Sequence, residues 1–205
     1  MPNWCTTSYA VTGPTSQVNA LWRRMRKLQE MKEPLVPNGF GPSWLGCLVK
    51  SLGKNPNRFN CRGDWRDLKL EKKQKKGYLN CEGPLLTFDT ETAWCRCSEV
   101  EQLIQNRYPD LNIFFISEEL GCGYFETNDE GGEFFPEQVI IDDALYGMEY
   151  YSKEDAIAHL NEVAEGVMEV KTWKDAEKFC AMRNELQENA GGEAYIYLHV
   201  AEIAE

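Results

Sequence analysis

The sequence predicts an α+β protein. Its expected core is a ferredoxin-like β-α-β-β-α-β antiparallel sheet, with an inserted irregular or helical segment and a helical carboxyl-terminal extension. Three observations predict it. Residues 4–12 alternate with the period of a strand, and an apolar stripe of helical period follows at once. The same succession of strand and helix recurs over 85–108, closed by the apolar run Leu111–Ser117. These pieces, with one more strand placed before residue 85, follow the order of the split β-α-β plait. The expected division is a plait over 1–143, with 34–76 inserted, and an α-α-β extension over 144–205 packed on it.

Each element has a local cause. Cys5, Thr7, Tyr9 and Val11 alternate with Trp4, Thr6, Ser8 and Ala10, and Gly13-Pro14 ends the strand. Thr15 or Ser16 is then placed to cap a helix. Val18, Leu21, Trp22, Met25, Leu28 and Met31 form its apolar stripe, with Arg23, Arg24, Arg26 and Lys27 mostly off it. Prolines 34, 37, 42 and 56 and four glycines break up the next stretch, although Trp44, Leu45, Leu48, Val49 and Leu52 suit a short helix. Tyr78–Cys81 is a possible short strand, and Leu85–Trp94 is a better one. Ser98 and Glu101 have capping-box spacing ahead of Val100, Leu103, Ile104 and Tyr108. Residues 123–128 and 134–141 are expected to pair as a hairpin around Asp129-Glu130-Gly131-Gly132. In the tail, Ser152 and Thr172 open two helices, Gly191-Gly192 ends the second, and Ala194–Val200 alternates as a last strand.

Composition excludes more than it selects. A 205-residue chain with 42% hydrophobic residues can bury a core without a metal or disulfide staple. No run approaches the ~20 apolar residues of a membrane helix, so no membrane partner is expected. The opening lacks a basic stretch followed by an apolar one. The eight cysteines are therefore expected to be reduced thiols in a cytoplasmic protein. The net charge of −11 hides a segregation: residues 1–82 carry 15 bases and 6 acids, residues 83–205 carry 7 and 27.

The opening Met1-Pro2-Asn3-Trp4-Cys5, followed by Val11 and Gly13, resembles the phage- and plasmid-borne YubB/Api-like family of uncharacterised proteins. Trp65-Arg66-Asp67 falls where that family has a tryptophan-containing stretch. Thr92-Ala93-Trp94 closes a strand before the second helix, and Glu118-Glu119-Leu120-Gly121 precedes Tyr124. The resemblance covers roughly residues 1–125. It departs at Thr7, where the family commonly has asparagine, and at Cys61-Arg62-Gly63-Asp64. It implies a ferredoxin-like amino-terminal fold, a mobile-element setting, and Trp4, Trp94, Glu119, Gly121 and Tyr124 as shared motif positions. It implies no biochemical activity.

Catalytic and metal signatures are weak. Cys95 and Cys97 lack the second pair that structural zinc requires, and the two histidines, His159 and His199, both lie in the tail. No local signature joins a cysteine to a histidine as nucleophile and base. Acidic pairs such as Asp89/Glu91 and Asp142/Asp143 are expected by chance among 33 acids. No phosphate-binding loop occurs. The expectation is a non-enzymatic protein with no catalytic residue, metal or cofactor, which binds a macromolecule, foremost another protein. Its candidate contact residues are Arg62, Trp65, Arg66, Lys69, Lys72, Lys73, Lys75 and Lys76. Trp65 is expected to be partly exposed among those charges, and Trp4, Trp22 and Trp94 are expected in the core. The alternatives are nucleic-acid binding through 58–76 and mimicry of DNA by the acidic segment 118–143.

Overall fold

The computed structural model describes residues 3–72 and 83–204. The elements in chain order are β1 (Trp4–Thr12), α1 (Thr15–Gln29), α2 (Leu45–Ser51), β2 (Gly63–Glu71), β3 (Leu85–Ala93), α3 (Ser98–Arg107), β4 (Asn112–Glu119), β5 (Tyr124–Thr127), β6 (Val139–Asp143), β7 (Gly147–Tyr151), α4 (Lys153–Val163), α5 (Trp173–Ala190), β8 (Ile196–Val200) and β9 (Glu202–Ile203). The fold is mixed α+β with mainly antiparallel sheet. Its strands form one sheet of order β2-β3-β1-β4-β5-β9 and a second of order β7-β6-β8. No described helix is long and apolar enough to cross a membrane.

Two compact units divide the chain. The first runs to Asp129 and regains Ala204; the second is Glu130–Ile203. The division therefore falls at 129/130 rather than 143/144. The hairpin expected over 123–141 does not form, because β5 pairs with β4 while β6 pairs with β7 and β8. Asp129–Gly132 has hairpin-turn composition. However, Val139-Ile140-Ile141 is buried throughout, as a central strand demands.

In the first unit, β1 is central. Tyr9 lies opposite Phe88 of β3 and Phe115 of β4. Cys5, Thr7, Tyr9 and Val11 face the helices and are buried, as the alternation predicts. Helix α1 buries Val18, Leu21, Met25 and Leu28 against this face. It starts directly after Pro14, whose carbonyl accepts the N–H groups of Gln17 and Val18. Neither Thr15 nor Ser16 caps it, because proline presets the entry φ (−56°) and no cap side chain bonds. Helix α2 forms where the Trp44–Leu52 pattern places it, and buries Leu45, Cys47, Leu48 and Val49.

Strand β2 is a correction. The 62–76 stretch reads as a charged loop, with the strand before β3 at 78–81. Those four residues lie outside the described ones, and the strand pairing with β3 is Gly63–Glu71. A bulge between Arg66 and Lys69, with Asp67 at φ 53°, breaks the period-2 pattern and hides it. β2 is an edge strand, and its charged outer side chains are the common protection of such an edge. Gly63 is required here: a Cβ would sit 2.2 Å from the Glu91 carbonyl oxygen.

The second unit packs α4 and α5 on its sheet through Val139, Ile141, Leu160, Ala176, Phe179 and Ile196. Ser152 caps α4, and Thr172 with Asp175 forms a capping box on α5. Arg183 clamps the buried Asp143 carboxylate at 2.8 and 3.3 Å.

Candidate functional site

In the described part of the basic segment, residues 62–72, acids are interleaved with the bases. Arg62, Arg66, Lys69 and Lys72 are exposed, but Asp64, Asp67 and Glu71 interleave them, and Arg66 lies 3.5 Å from Glu91. Lys73, Lys75 and Lys76 fall outside the described residues. Trp65, expected to be partly exposed, is 1% exposed and packs in the core. Alternation from the exposed Arg66 carries it inward beside Thr90. Its backbone N–H donates to the Ser43 carbonyl at 3.1 Å, and a Trp44–Asp64 bridge lies along the same strand. On the other sheet face, the register sets Glu91 and Glu118 on either side of Thr6, and Asp89 opposite Ser8. That face carries these carboxylates together with Arg66 and Phe114.

The five residues that the resemblance singles out converge at one end of the sheet. Trp4 is paired with Ala93, and the Trp94 N–H donates to the Asn3 carbonyl at 2.9 Å. Glu119 lies opposite Tyr124, and its Oε1 accepts the Gly121 N–H at 3.1 Å. Asn3 Nδ2 donates to Cys122 Sγ at 3.3 Å and closes the corner. A side chain at Gly121 would put its Cβ 2.8 Å from that same Glu119 oxygen.

Two tryptophans stand out of this end, where residue type alone predicts core. Trp4 is 41% exposed and Trp94 is 52% exposed, whereas Trp22 packs against the core as expected. Phe40 meets Trp4 edge-on at 6.3 Å. An Asn38 side chain accepting the Phe40 and Gly41 N–H groups fixes that loop. Trp94 has φ 76°, a left-handed conformation rare for any side chain but glycine. Such strain, about 1–3 kcal/mol, persists only where neighbours over-determine the backbone. Here they do. The Thr92 hydroxyl donates to the Cys95 carbonyl at 2.7 Å, and Arg96 is fixed on both sides.

Arg96 is the support behind this end. Its guanidinium donates to Glu101 at the start of α3 and to Glu126 of β5, and lies 4.0 Å over the Phe115 ring. Tyr9 donates to Glu101 at 2.7 Å, and Tyr124 donates to Glu126. Burial pushes the Glu101 carboxyl above its ordinary range, opposed by Tyr9 and Arg96. Tyr9 and Arg96 each take one oxygen of Glu101, and Arg96 and Tyr124 share one oxygen of Glu126, so the cluster holds side chains in position. Sequence reading missed it: an arginine between two cysteines carries no signal that it joins Glu101, five residues on, to Glu126 of another strand.

Three thiols near this end are pushed toward the protonated form. Beside Glu119, the exposed Cys122 thiol is pushed up, and donation from that thiol holds Glu119 below the ordinary carboxylate range. Burial pushes Cys5 up and Cys97 to about 12. A raised pKa leaves these three poorly suited as thiolate nucleophiles. Among the described residues, no group of three or more His, Cys, Asp or Glu side chains is placed to hold a metal ion.

Fold and site define a mixed α+β protein with a mainly antiparallel sheet and an aromatic end. In comparisons with known proteins, no family model, no curated protein and no solved structure matches the chain.

Proposed function

We propose that this is a non-enzymatic binding protein whose partner is another protein, recognised through the sheet end that carries Trp4 and Trp94. The observation that carries this reading is Trp94: a large aromatic side chain, half exposed, on a backbone that a glycine would occupy without strain. Tryptophan is enriched among residues that dominate protein interfaces. The strand order β2-β3-β1-β4, with α1 and α3 as crossovers, supports a ferredoxin-like plait as the scaffold. The gathering of Trp4, Trp94, Glu119, Gly121 and Tyr124 supports kinship with the YubB/Api-like proteins, and with it a mobile-element setting and a cytoplasmic location. The nucleic-acid reading loses its central aromatic with Trp65. The acidic stretch proposed to imitate DNA, 118–143, is divided between the two units.

Trp94→Gly tests the reading. It is expected to raise stability by about 1 kcal/mol in urea unfolding, because the left-handed strain is relieved. It is also expected to release the protein retained by the wild-type chain in affinity capture. Retention unchanged in both Trp94→Gly and Trp4→Ala, with both variants folded, rejects the surface. A second prediction concerns nucleic acid. A mixed single- and double-stranded panel at low salt is expected to show no retention. Salt-sensitive binding lost in Arg66→Glu/Lys69→Glu would restore the basic-strand reading.

A further inference from the structure

A second surface, lined by neither tryptophan, has its own chemistry. A groove of about 490 Å³ lies on the first unit, with Arg23, Arg24 and Lys27 at its rim and Leu28, Met31 and Leu35 as its apolar lining. That volume lies in the ~300–1,000 Å³ range of natural binding pockets. The helical turns of α1 explain the rim. Residues 20, 23, 24, 27 and 28 fall one turn apart along one side of the helix, and Met31 follows just past its end, so cations and aliphatic groups line one groove. Leu35 closes the groove from the loop after α1 and is 41% exposed.

The cations are not neutralised by the fold. Arg24 is spent as a brace: it donates to the Ser51 carbonyl of α2 and, at 3.1 Å, to the Tyr108 hydroxyl. The Arg23 Nε–H donates only to a backbone carbonyl, that of Asn19 at 3.2 Å. Among the described residues, neither Arg23 nor Lys27 has a carboxylate partner. Residues 15–54 carry seven bases and two acids in a chain whose net charge is −11. The positive charge of this groove therefore runs against the balance of the whole molecule.

We propose that this groove docks an acidic amphipathic segment of a partner protein, its apolar side chains on Met31 and Leu35 over the buried Leu28 and its carboxylates on Arg23 and Lys27. An apolar floor with a cationic rim matches a helix that is apolar on one stripe and acidic beside it. Nucleic acid suits the groove less well: no aromatic side chain lines it to stack a base, and aliphatic groups gain nothing from a phosphate chain.

The test uses the full-length protein and a fluorescent synthetic peptide about 16 residues long, with leucines at helical spacing flanked by glutamates. Its comparison probes are the same peptide with lysines for the glutamates, a version with its leucines scattered off one face, and single-stranded DNA. The acidic amphipathic peptide is expected to bind and both peptide controls to bind at least about tenfold more weakly. Arg23→Glu/Lys27→Glu and, separately, Leu35→Asp are each expected to weaken binding about tenfold or more. All three positions are exposed, so the variants remain folded. No binding of the acidic peptide at about 100 µM overturns the proposal. So does equal binding of the scattered or lysine peptide, or binding indifferent to both variants. DNA that binds more tightly than the peptide and is lost in the Arg23/Lys27 variant overturns it in favour of a nucleic-acid groove. Trp94→Gly is expected to leave peptide binding unchanged, so this proposal and the tryptophan reading succeed or fail separately.

Discussion

Replacing Arg96 with methionine is expected to destabilise the first unit by about 3–5 kcal/mol at pH 7, the range for removing one partner from a buried ion cluster. The side chains of Glu101 and Glu126 are 16% and 21% exposed, and both contact this one guanidinium. Methionine fills much of the volume over Phe115 but leaves two carboxylates with no cation. The loss should depend on pH in a definite direction. Glu101 already has a folded pKa raised above its unfolded value, chiefly by burial, with Arg96 pulling it down. The contribution of a raised carboxyl is fully present below its unfolded pKa, about 4.3, and is lost as pH rises through the folded value. Without Arg96 the folded value climbs further, so the window of loss widens toward neutrality. Urea unfolding of wild type and Arg96→Met should therefore show a larger deficit at pH 7 than at pH 4.5. An equal deficit at both values, or one under about 1 kcal/mol, would mean that the cluster is a loosely hydrated surface group.

Trp65→Ala is expected to cost about 3–5 kcal/mol, the usual penalty for deleting a large aromatic from a packed core. Trp65 is 1% exposed, and its Nε1 has no hydrogen-bond partner, so its contribution comes from packing. Trp65→Phe should accordingly recover most of the loss. An exposed tryptophan on a basic strand would give a change within about 0.5 kcal/mol. The same pair of variants thus decides whether the residue belongs to the core or to an interface.

Elements whose period runs unbroken were legible in the sequence. β1, α1, β3, α3 and β4 stand close to where their stripes put them, because each has one face in the core and one outside. β2 was not legible. Its bulge at Asp67–Leu68 shifts the alternation, and edge position fills its outer face with charges that read as loop. β6 was placed with the wrong partner because a turn signal is local, whereas the choice between two sheets is tertiary. The tryptophans failed in opposite directions for one reason. Residue type and flanking charge do not say which side of a strand faces in: Trp65 turned inward among charges, while Trp94 turned outward among thiols. Only the resemblance singles out Trp4, Trp94, Glu119, Gly121 and Tyr124; it is the pairing of β1, β3, β4 and β5 that brings them to one end. Asn3 and Cys122 had no signal of their own, since each lies 119 residues from the other, and Arg96 had none for Glu126, 30 residues on.

The most direct measurement is a side-chain oxidation footprint of the tryptophans in the free protein and in its captured complex. The account predicts that Trp4 and Trp94 react in the free protein and become protected on binding, while Trp65 stays unreactive in both. Undiminished reactivity of Trp4 and Trp94 in the complex would contradict it.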